Sequence, residues 1–265
     1  MRFGCCTNMV AAYSGGTGIE HIEDLAKIGY DYIELPLAQI MDLQDEAFAV
    51  LKHQVEASHI PCEVCNNFFP AHIRLTGNKT NKDEISKYVE EALIRAAQLG
   101  VRIIVFGSSG AKNVPEDFPF EIAWNQLVRL LQDVSESAKR WGITVVIEPL
   151  NQLESNIINT VEEGLKLARD VDRKNIKLLV DYYHLVMEKE NLSVINNTEQ
   201  YIRHVHFANP DKRVFPLNTD TEDYSLFFSY LKRSGYRDRI SIEAYSKDLY
   251  KDAAASLKLL KKFLM

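Results

Sequence analysis

The sequence predicts a single (β/α)8 barrel, also called a TIM barrel, and three observations predict it. The chain has 265 residues, of which 46% are hydrophobic, and a length of about 250 residues is usual for one such barrel. Eight short segments of strand-like composition alternate with amphipathic helical segments, which is typical of a parallel sheet. No linker rich in Gly and Ser interrupts this alternation, so we expect residues 1–265 to form one domain.

Each predicted strand is a short run of apolar, β-branched or aromatic residues. The later runs are almost continuously apolar, as expected for strands that are covered on both faces. In chain order, the eight predicted strands are residues 3–7, 32–36, 61–66, 103–107, 144–148, 177–181, 204–208 and 240–244. This order favours one closed barrel over two doubly wound halves.

The segments between the strands carry helix start and stop signals. Pairs that match the capping-box pattern, or its Asp variant, are Thr17 with Glu20, Thr80 with Asp83 and Thr160 with Glu163. Helix ends are predicted at Gly29, Gly100, Gly142 and Gly235. Between residues 85 and 99 the apolar side chains recur on one helical face, so this helix is predicted to cover the sheet.

The charge composition argues against a nucleic-acid-binding protein. The chain has 31 Lys and Arg against 37 Asp and Glu, a net charge of −6, and no long basic run, whereas proteins that follow a phosphate backbone need concentrated positive charge. No secretory leader pattern opens the sequence, and no stretch of about 18 apolar residues occurs. We therefore expect a cytoplasmic protein that binds a small molecule and neither nucleic acid nor a membrane.

The four cysteines, Cys5, Cys6, Cys62 and Cys65, are too few for a small disulfide scaffold. Cys62 and Cys65 form a C-x-x-C motif, but in an extended strand two residues three positions apart face opposite sides. That geometry is poor for a disulfide or a zinc site. We therefore predict reduced thiols without a metal or redox role.

Four ionisable residues end the last four predicted strands: Glu148, Asp181, His206 and Glu243. The carboxyl ends of barrel strands meet at one face, where the active sites of such barrels lie. Three carboxylates and one imidazole in that space would repel one another unless a cation neutralised them. Oxygen-rich ligation with a single nitrogen suits Mn²⁺, Mg²⁺ or Co²⁺. The alternative is four unrelated salt bridges or helix caps.

The segments that carry these residues also resemble a known family. They are Ile-Glu-Pro-Leu-Asn at 147–151, Asp-Tyr-Tyr-His at 181–184, His-Val-His-Phe-Ala at 204–208 and Ser-Ile-Glu-Ala at 241–244. In this order they resemble the xylose isomerase-like superfamily of sugar isomerases and epimerases over nearly the whole chain. Within it they are similar to the ketose 3-epimerases that act on tagatose and psicose (allulose). The resemblance implies that the four strand-end residues bind one divalent metal, with Mn²⁺ expected.

The resemblance also implies roles for individual residues. Glu148 and Glu243 would each be a metal ligand and a general acid or base, so that one removes a proton next to a carbonyl and the other returns it through an enediolate. Glu154, His184 and Arg213 would hold the sugar. The alternative for these three is a surface salt bridge or a loop cap.

Several other functions stay open at this point. Proton return to the neighbouring carbon would give an aldose–ketose isomerase, and expulsion of a group would give a lyase on 3-oxo-glycosides or an inosose dehydratase. A non-catalytic sugar-binding subunit that needs a partner chain is another alternative. An enzyme like endonuclease IV is disfavoured, because a trinuclear zinc site needs more His ligands than the seven His of this chain supply. We expect a homo-oligomer, either a dimer or a tetramer.

Residues beside the ligands are assigned supporting roles. Glu34 ends the second predicted strand and is predicted to accept a hydrogen bond behind the ligands, and His204 is predicted to lie deeper on the face of its strand that carries the metal-binding histidine. Phe68 and Phe69 could wall the sugar, although packing is the more frequent role of such a pair. Residues 107–110, Gly-Ser-Ser-Gly, are predicted to be a flexible loop that could hold a small anion.

Overall fold

The structure is a computed structural model, and it describes residues 1–198, 200–220 and 222–264. Eight parallel strands pair in chain order, and β1 pairs with β8, so that the sheet closes into a barrel. The strands are β1 Arg2–Cys6, β2 Tyr32–Pro36, β3 Cys62–Asn66, β4 Ile103–Phe106, β5 Thr144–Ile147, β6 Ile176–Asp181, β7 Ile202–Phe207 and β8 Arg239–Ile242. The predicted (β/α)8 barrel is confirmed.

Helices follow the strands and cover the outside of the barrel. They are α1 Ile22–Ile28, α2 Leu37–Met41, α3 Asp45–Ser58, α4 Lys82–Gln98, α5 Ser109–Lys112, α6 Phe120–Lys139, α7 Val161–Val171, α8 Tyr182–Met187, α9 Ser225–Arg233 and α10 Leu249–Leu264. Three short 3-10 helices, Thr7–Val10, Ile19–His21 and Leu192–Asn197, lie in the connections. None of the helices described here has the length and apolar character that crossing a membrane requires.

The predicted helix boundaries are confirmed in part. Thr160 caps α7 by accepting a hydrogen bond from the backbone NH of Glu163 at 3.1 Å, as the capping-box pattern predicts. The start predicted at Thr80 is wrong by one residue, because the Asn81 side chain caps α4 instead. Gly29 ends α1 in a left-handed conformation with φ 97°, which a residue without Cβ adopts at little cost.

The core has two layers, because alternate residues of each strand point inward and outward. The inner layer fills the barrel with a small cluster, and the outer layer joins the strands to the helices. The inner cluster consists of Tyr32, Val64, Ile103, Val105, Val146 and Leu179. The ring of Tyr32 lies against Gly4, where a Cβ would overlap the ring, and its hydroxyl contacts the Ser241 hydroxyl at 2.9 Å. Inward-pointing residues nearer the carboxyl ends of the strands therefore meet above a packed floor.

A β-bulge in β3 changes the orientation of its cysteines. Ile33 of β2 pairs with Cys62, but the next residue, Glu34, pairs with Val64, so Glu63 is an extra residue in the ladder. Cys62 and Cys65 consequently both pack in the outer layer. The prediction that they face opposite sides is wrong, because it assumed a regular strand. All four cysteines are buried free thiols.

Candidate active site

The four strand-end residues converge at the carboxyl end of the barrel. Glu148 and Glu243 directly follow β5 and β8, Asp181 ends β6, and His206 lies in β7. Each of the four offers one ligand atom, these atoms all lie within 4.8 Å of one another, and all four residues are buried. The predicted set therefore forms one compact cluster of three carboxylates and an imidazole.

His206 lies at the centre of this cluster. Its Nδ1 is 2.9 Å from Glu148 Oε1 and 3.1 Å from Glu243 Oε2, so two carboxylates compete for one ring nitrogen. Burial alone would lower the pKa of His206, but Glu34 and then Glu243 raise it well above its usual range. Without a cation, the imidazole therefore carries a proton that partly neutralises the crowded carboxylates.

Asp181 holds the strongest sign of a missing ligand. Its Oδ1 accepts a hydrogen bond from the backbone NH of Tyr183 at 2.8 Å, whereas its buried Oδ2 has no hydrogen-bond partner among the described residues. Burial raises the pKa of Asp181 to about 7, and the nearby Glu243 adds to the rise while Arg213 opposes it. A buried carboxylate oxygen without a hydrogen bond, beside two further carboxylates, fits a divalent cation, which would accept all three as oxygen ligands.

Arg213 lies over the cluster from the loop after β7. Its guanidinium pairs with Glu243, lies 3.5 Å from Asp181 Oδ2 and 3.4 Å from Glu154 Oε1, and stacks over the Tyr183 ring at 4.7 Å. The residue adopts a left-handed conformation with φ 50°, which is uncommon for a side chain other than Gly or Asn. The loop therefore holds Arg213 in an unusual conformation directly above the carboxylates.

His184 and Glu154 flank the cluster and share Asn151 as a neighbour. The backbone NH of Asn151 donates to His184 Nδ1 at 3.1 Å, and its side-chain amide donates to Glu154 Oε1 at 3.0 Å. Burial lowers the pKa of His184 to about 3, with Arg213 as the next cause. The imidazole is therefore neutral, and because Nδ1 accepts, the proton lies on Nε2. That Nε2 is 3.5 Å from Asp181 Oδ2 and unpaired in the described part of the chain.

Glu34 holds His206 from the opposite side. Its Oε1 lies 2.9 Å from His206 Nε2 and its Oε2 lies 2.8 Å from His204 Nε2, and all three side chains are fully buried. Burial would raise the pKa of Glu34, but His206 and His204 bring it well below its usual range. Glu34 thus accepts from both imidazoles, as predicted for a residue behind the ligands. It fixes the ring of His206 so that Nδ1 points into the cluster.

Cys6 is a further neighbour of His206. Its Sγ lies 3.8 Å from His206 Nε2, and Cys6, Glu34 and His206 also offer ligand atoms within 4.8 Å of one another. Burial, followed by the charge of Glu34, raises the pKa of the Cys6 thiol well above its usual range. Because the thiolate is the form that binds metals, this group of three is the weaker candidate.

Some supporting predictions are wrong or incomplete. Residues 109–112 form the short helix α5, so the segment at 107–110 is not simply a flexible loop. Phe68 and Phe69 are buried, with ring centroids 4.3 Å apart, which agrees with packing, the more frequent role of such a pair. Sequence reasoning also missed Gly107, where a Cβ would overlap Glu148 Oε2. A Gly directly after an apolar strand was the signal that could have identified this close approach.

Two enzymes are similar to this chain in sequence. The chain is 28% identical over 162 residues to an L-ribulose 3-epimerase of Mesorhizobium japonicum, covering 61% of this chain and 54% of that enzyme. It is 26% identical over 262 residues to a ketose 3-epimerase of Arthrobacter globiformis, covering 94% of this chain and 85% of that enzyme.

The structural comparison covers the whole chain. A D-psicose 3-epimerase from Clostridium cellulolyticum H10, solved with D-tagatose, superposes with a TM-score of 0.88 at 20% identity, covering 100% of this chain and 99% of that one. The family model described as xylose isomerase-like TIM barrel matches residues 22–263. The resemblance of the strand-end segments is confirmed, and the chain belongs to the xylose isomerase-like TIM barrel family.

Proposed function

We propose that the protein is a divalent-metal-dependent epimerase of keto sugars, most specifically a ketose 3-epimerase. The observation that carries the proposal is the cluster of Glu148, Asp181, His206 and Glu243, in which the buried Asp181 Oδ2 makes no hydrogen bond within the described residues. The similarity to enzymes named as ketose and L-ribulose 3-epimerases supports the same reaction. Enzymes that shift a proton next to a carbonyl need a base, an acid and a positive charge to stabilise the developing negative charge.

The metal would be held by these four residues. The donor set of three carboxylates and one imidazole favours Mn²⁺, with Mg²⁺ and Co²⁺ as alternatives. When bound, such an ion supplies Lewis-acid stabilisation of the negative charge that develops on the carbonyl oxygen. Glu34 would keep His206 Nδ1 directed at the ion by accepting the proton of Nε2.

Glu148 and Glu243 would move the proton. They extend from β5 and β8, with the two strands β6 and β7 between them, and approach His206 Nδ1 from separate positions at 2.9 and 3.1 Å. A sugar bound over the cluster would therefore meet one carboxylate on each side of its reacting carbon. If one carboxylate removes the proton and the other returns a proton from the opposite face, the configuration at that carbon is inverted.

Three residues would hold the sugar in this position. The neutral His184 has a free Nε2 proton beside Asp181 and would donate to a substrate oxygen. Glu154 would accept from a hydroxyl, because Asn151 fixes its carboxylate. Arg213 now pairs with Glu243 and Glu154, and the oxygens of a sugar would replace part of these contacts.

A proton-exchange experiment tests the proposed function. Metal-loaded protein is incubated in D₂O with ketoses, inososes and 3-oxo-glycosides, and deuterium incorporation is followed by NMR. Deuterium at C3 of a ketose together with its C3 epimer is the expected result. An aldose would make the enzyme an isomerase, and release of water or an aglycone would make it a lyase. No exchange with any substrate by a metal-loaded protein would contradict the enzymatic proposal and favour a binding subunit that needs a partner chain.

Two predictions about the setting accompany this proposal. We expect a cytoplasmic location and a homo-oligomer of two or four chains. Light scattering on the purified protein would measure the oligomeric state directly. A monomer would contradict the second prediction and leave the chemistry of the site unchanged.

A further inference from the structure

A fully buried lysine lies beside the candidate active site without a carboxylate partner. Lys112, the last residue of α5, has no solvent exposure, and its Nζ lies 3.3 Å from the carbonyl oxygen of Gly107. Within the described ranges no carboxylate oxygen lies within 4.0 Å of this nitrogen. A buried ammonium without an ion pair is costly, and burial lowers the pKa of Lys112 to about 8.

The backbone holds Lys112 firmly in this position. Its NH donates to the Ser108 carbonyl at 3.1 Å, and its carbonyl accepts from the Thr76 hydroxyl at 3.2 Å. The backbone of Lys112 is therefore anchored to the turn after β4 and to the segment that follows β3.

The ammonium faces the catalytic side of the site. Glu148 and then Glu154 are the carboxylates whose charges act on Lys112, and Lys112 in turn contributes to the low pKa of His184. Gly107 connects the two groups, since its carbonyl accepts from Lys112 while its Cα packs against the Glu148 carboxylate. Gly107 thus contacts both Lys112 and the Glu148 carboxylate.

The charges of the site favour a further cation. Four carboxylates face the cluster, from Glu148, Glu154, Asp181 and Glu243, and Arg213 supplies one positive charge. Glu34 adds a fifth carboxylate behind His206. A divalent metal would still leave the site with net negative charge, which the ammonium of Lys112 reduces.

We propose that Lys112 is a fixed positive charge that acts through Glu148, offsetting part of the negative charge of the metal-loaded site and stabilising the negative charge that forms when the substrate loses its proton. This inference rests on the proposed metal-dependent function. Lys112 is a positioning residue in this role, because its nitrogen is shielded from solvent by the protein.

Replacing Lys112 by a neutral residue should change metal binding and turnover in opposite directions. A fixed cation repels a divalent metal and stabilises an anionic intermediate, so its removal should tighten metal binding and slow turnover. A purely structural defect would distort the site, so that metal binding would become weaker and turnover slower. Tighter metal binding together with slower turnover is therefore a signature that a structural role does not produce.

The experiment compares Lys112→Met and Lys112→Arg with the wild-type protein. Mn²⁺ binding to metal-free protein is measured by titration calorimetry, and kcat and KM are measured with the ketose identified by proton exchange. For Lys112→Met we expect about tenfold tighter Mn²⁺ binding and about tenfold lower kcat with KM nearly unchanged. Lys112→Arg keeps the charge and should stay close to wild type in both measurements.

A matched control removes a lysine charge far from the site. Lys177 is half-buried near the start of β6, whose last residue is Asp181, about 13 Å away along the strand. Lys177→Met should therefore change neither Mn²⁺ affinity nor kcat by more than about twofold. If Lys112→Met does not fold, as judged by circular dichroism, Lys112→Gln removes the same charge and is judged by the same criteria.

The outcomes separate this inference from the proposed function. If the wild-type protein binds Mn²⁺ and the neutral variants bind it equally or more weakly, the role of Lys112 is wrong while the metal site stands. If the wild-type protein binds no divalent metal, the proposed metal-dependent function fails, and the inference fails with it. Tighter binding by both neutral variants, with lower kcat, supports the inference.

Discussion

Carboxylates lie on both sides of the His206 imidazole, and they differ in how completely their oxygens are hydrogen-bonded. Behind the ring, on the closed side, both oxygens of Glu34 accept from imidazoles, at 2.9 Å from His206 and 2.8 Å from His204. In front of the ring, on the incomplete side, three carboxylates lie close together, and Asp181 Oδ2 makes no hydrogen bond within the described residues, with Arg213 and His184 each 3.5 Å away. The carboxylate oxygens are therefore fully hydrogen-bonded on the closed side and only partly so on the incomplete side.

The pKa directions express the same contrast. All these carboxylates are buried, and burial alone raises the pKa of a carboxyl group. The two imidazoles bring the pKa of Glu34 well below its usual range, whereas the pKa of Asp181 rises to about 7 and that of Glu148 is raised as well. Glu243 differs from these two, because Arg213 and His206 outweigh its burial and lower its pKa to about 2. The difference teaches that burial alone does not single out Asp181 and Glu148; the charge left uncompensated around them does.

The largest expected effect comes from the incomplete side. Glu243→Gln keeps the shape of the side chain but removes both a proposed metal ligand and a proton carrier, so kcat should fall by about a thousandfold or more. The same holds for Glu148→Gln. Turnover is measured with the ketose that exchanges deuterium, and the fold is checked by circular dichroism. Glu162→Gln, at an exposed position of α7, is the control, and near-normal turnover in Glu243→Gln would refute the two-carboxylate mechanism.

A substitution on the closed side should change metal affinity more than it changes the rate of the proton transfer. In Glu34→Gln the neutral amide has a single acceptor oxygen, so it cannot accept hydrogen bonds from both imidazoles. His206 should therefore lose its fixed orientation, and the Mn²⁺ affinity should fall about 10- to 100-fold. Calorimetric titration measures this change. Glu63→Gln is a matched control, because Glu63 is also a buried carboxylate but pairs with Arg2 and Arg239. Equal Mn²⁺ affinity in Glu34→Gln and wild type would show that Glu34 does not orient the ligand.

The next effect concerns the stability of the metal-free protein. Because its folded pKa is raised from 3.8 to about 7, Asp181 binds its proton more tightly in the folded than in the unfolded state. Its contribution to stability is therefore present below about pH 4 and is lost as the pH rises through 7. Between about pH 5 and pH 7.5, the free energy of unfolding of metal-free wild type should fall relative to that of Asp181→Asn.

Denaturant unfolding of the two proteins at both pH values measures this difference. Mn²⁺ should restore stability to the wild type at the higher pH, because it replaces the lost proton as the partner of Asp181. Asp181→Asn should gain much less from Mn²⁺. Parallel pH dependence in the two proteins would show that Asp181 is not the uncompensated charge.

From the sequence, the residues of the incomplete side could be predicted better than the local structure around them. Glu148, Asp181, His206 and Glu243 each lie at or next to the carboxyl end of an apolar strand, and parallel strands in a barrel bring such positions together by topology alone. Side-chain orientations that depend on a regular strand were less predictable. The bulge at Glu63 turned Cys62 and Cys65 to one side, because one extra residue reverses the alternation.

Lys112 was not predicted from the sequence, and Arg213 was predicted only in part, for a related reason. The position of Lys112 depends on a four-residue helix that follows a Gly, and that of Arg213 depends on a left-handed residue in a long loop. Neither feature has a periodic signal. Arg213 could be proposed only through the family resemblance, and Lys112 was found only once its burial was known.

The smallest expected effect tests whether Cys6 belongs to the closed side. Cys6, Glu34 and His206 could offer three ligand atoms to a second metal, but burial and the charge of Glu34 raise the pKa of the thiol well above its usual range. A thiol that keeps its proton is a poor ligand, and Glu34 already accepts from two imidazoles. Cys6→Ser should therefore leave both the stoichiometry and the affinity of Mn²⁺ within about twofold of wild type.

Zn²⁺ makes this test stricter, because it prefers sulfur ligands more than Mn²⁺ does. The wild-type protein should take up a single Zn²⁺ per chain, and Cys6→Ser should take up the same amount. Cys5→Ser is the matched control, since Cys5 is the adjacent buried thiol and points to the outer layer of the core. A second equivalent of Zn²⁺ that is lost in Cys6→Ser but kept in Cys5→Ser would mean that the side behind His206 also binds metal. The closed hydrogen-bonded group would then be a second site, with Glu34 exchanging an imidazole proton for a cation.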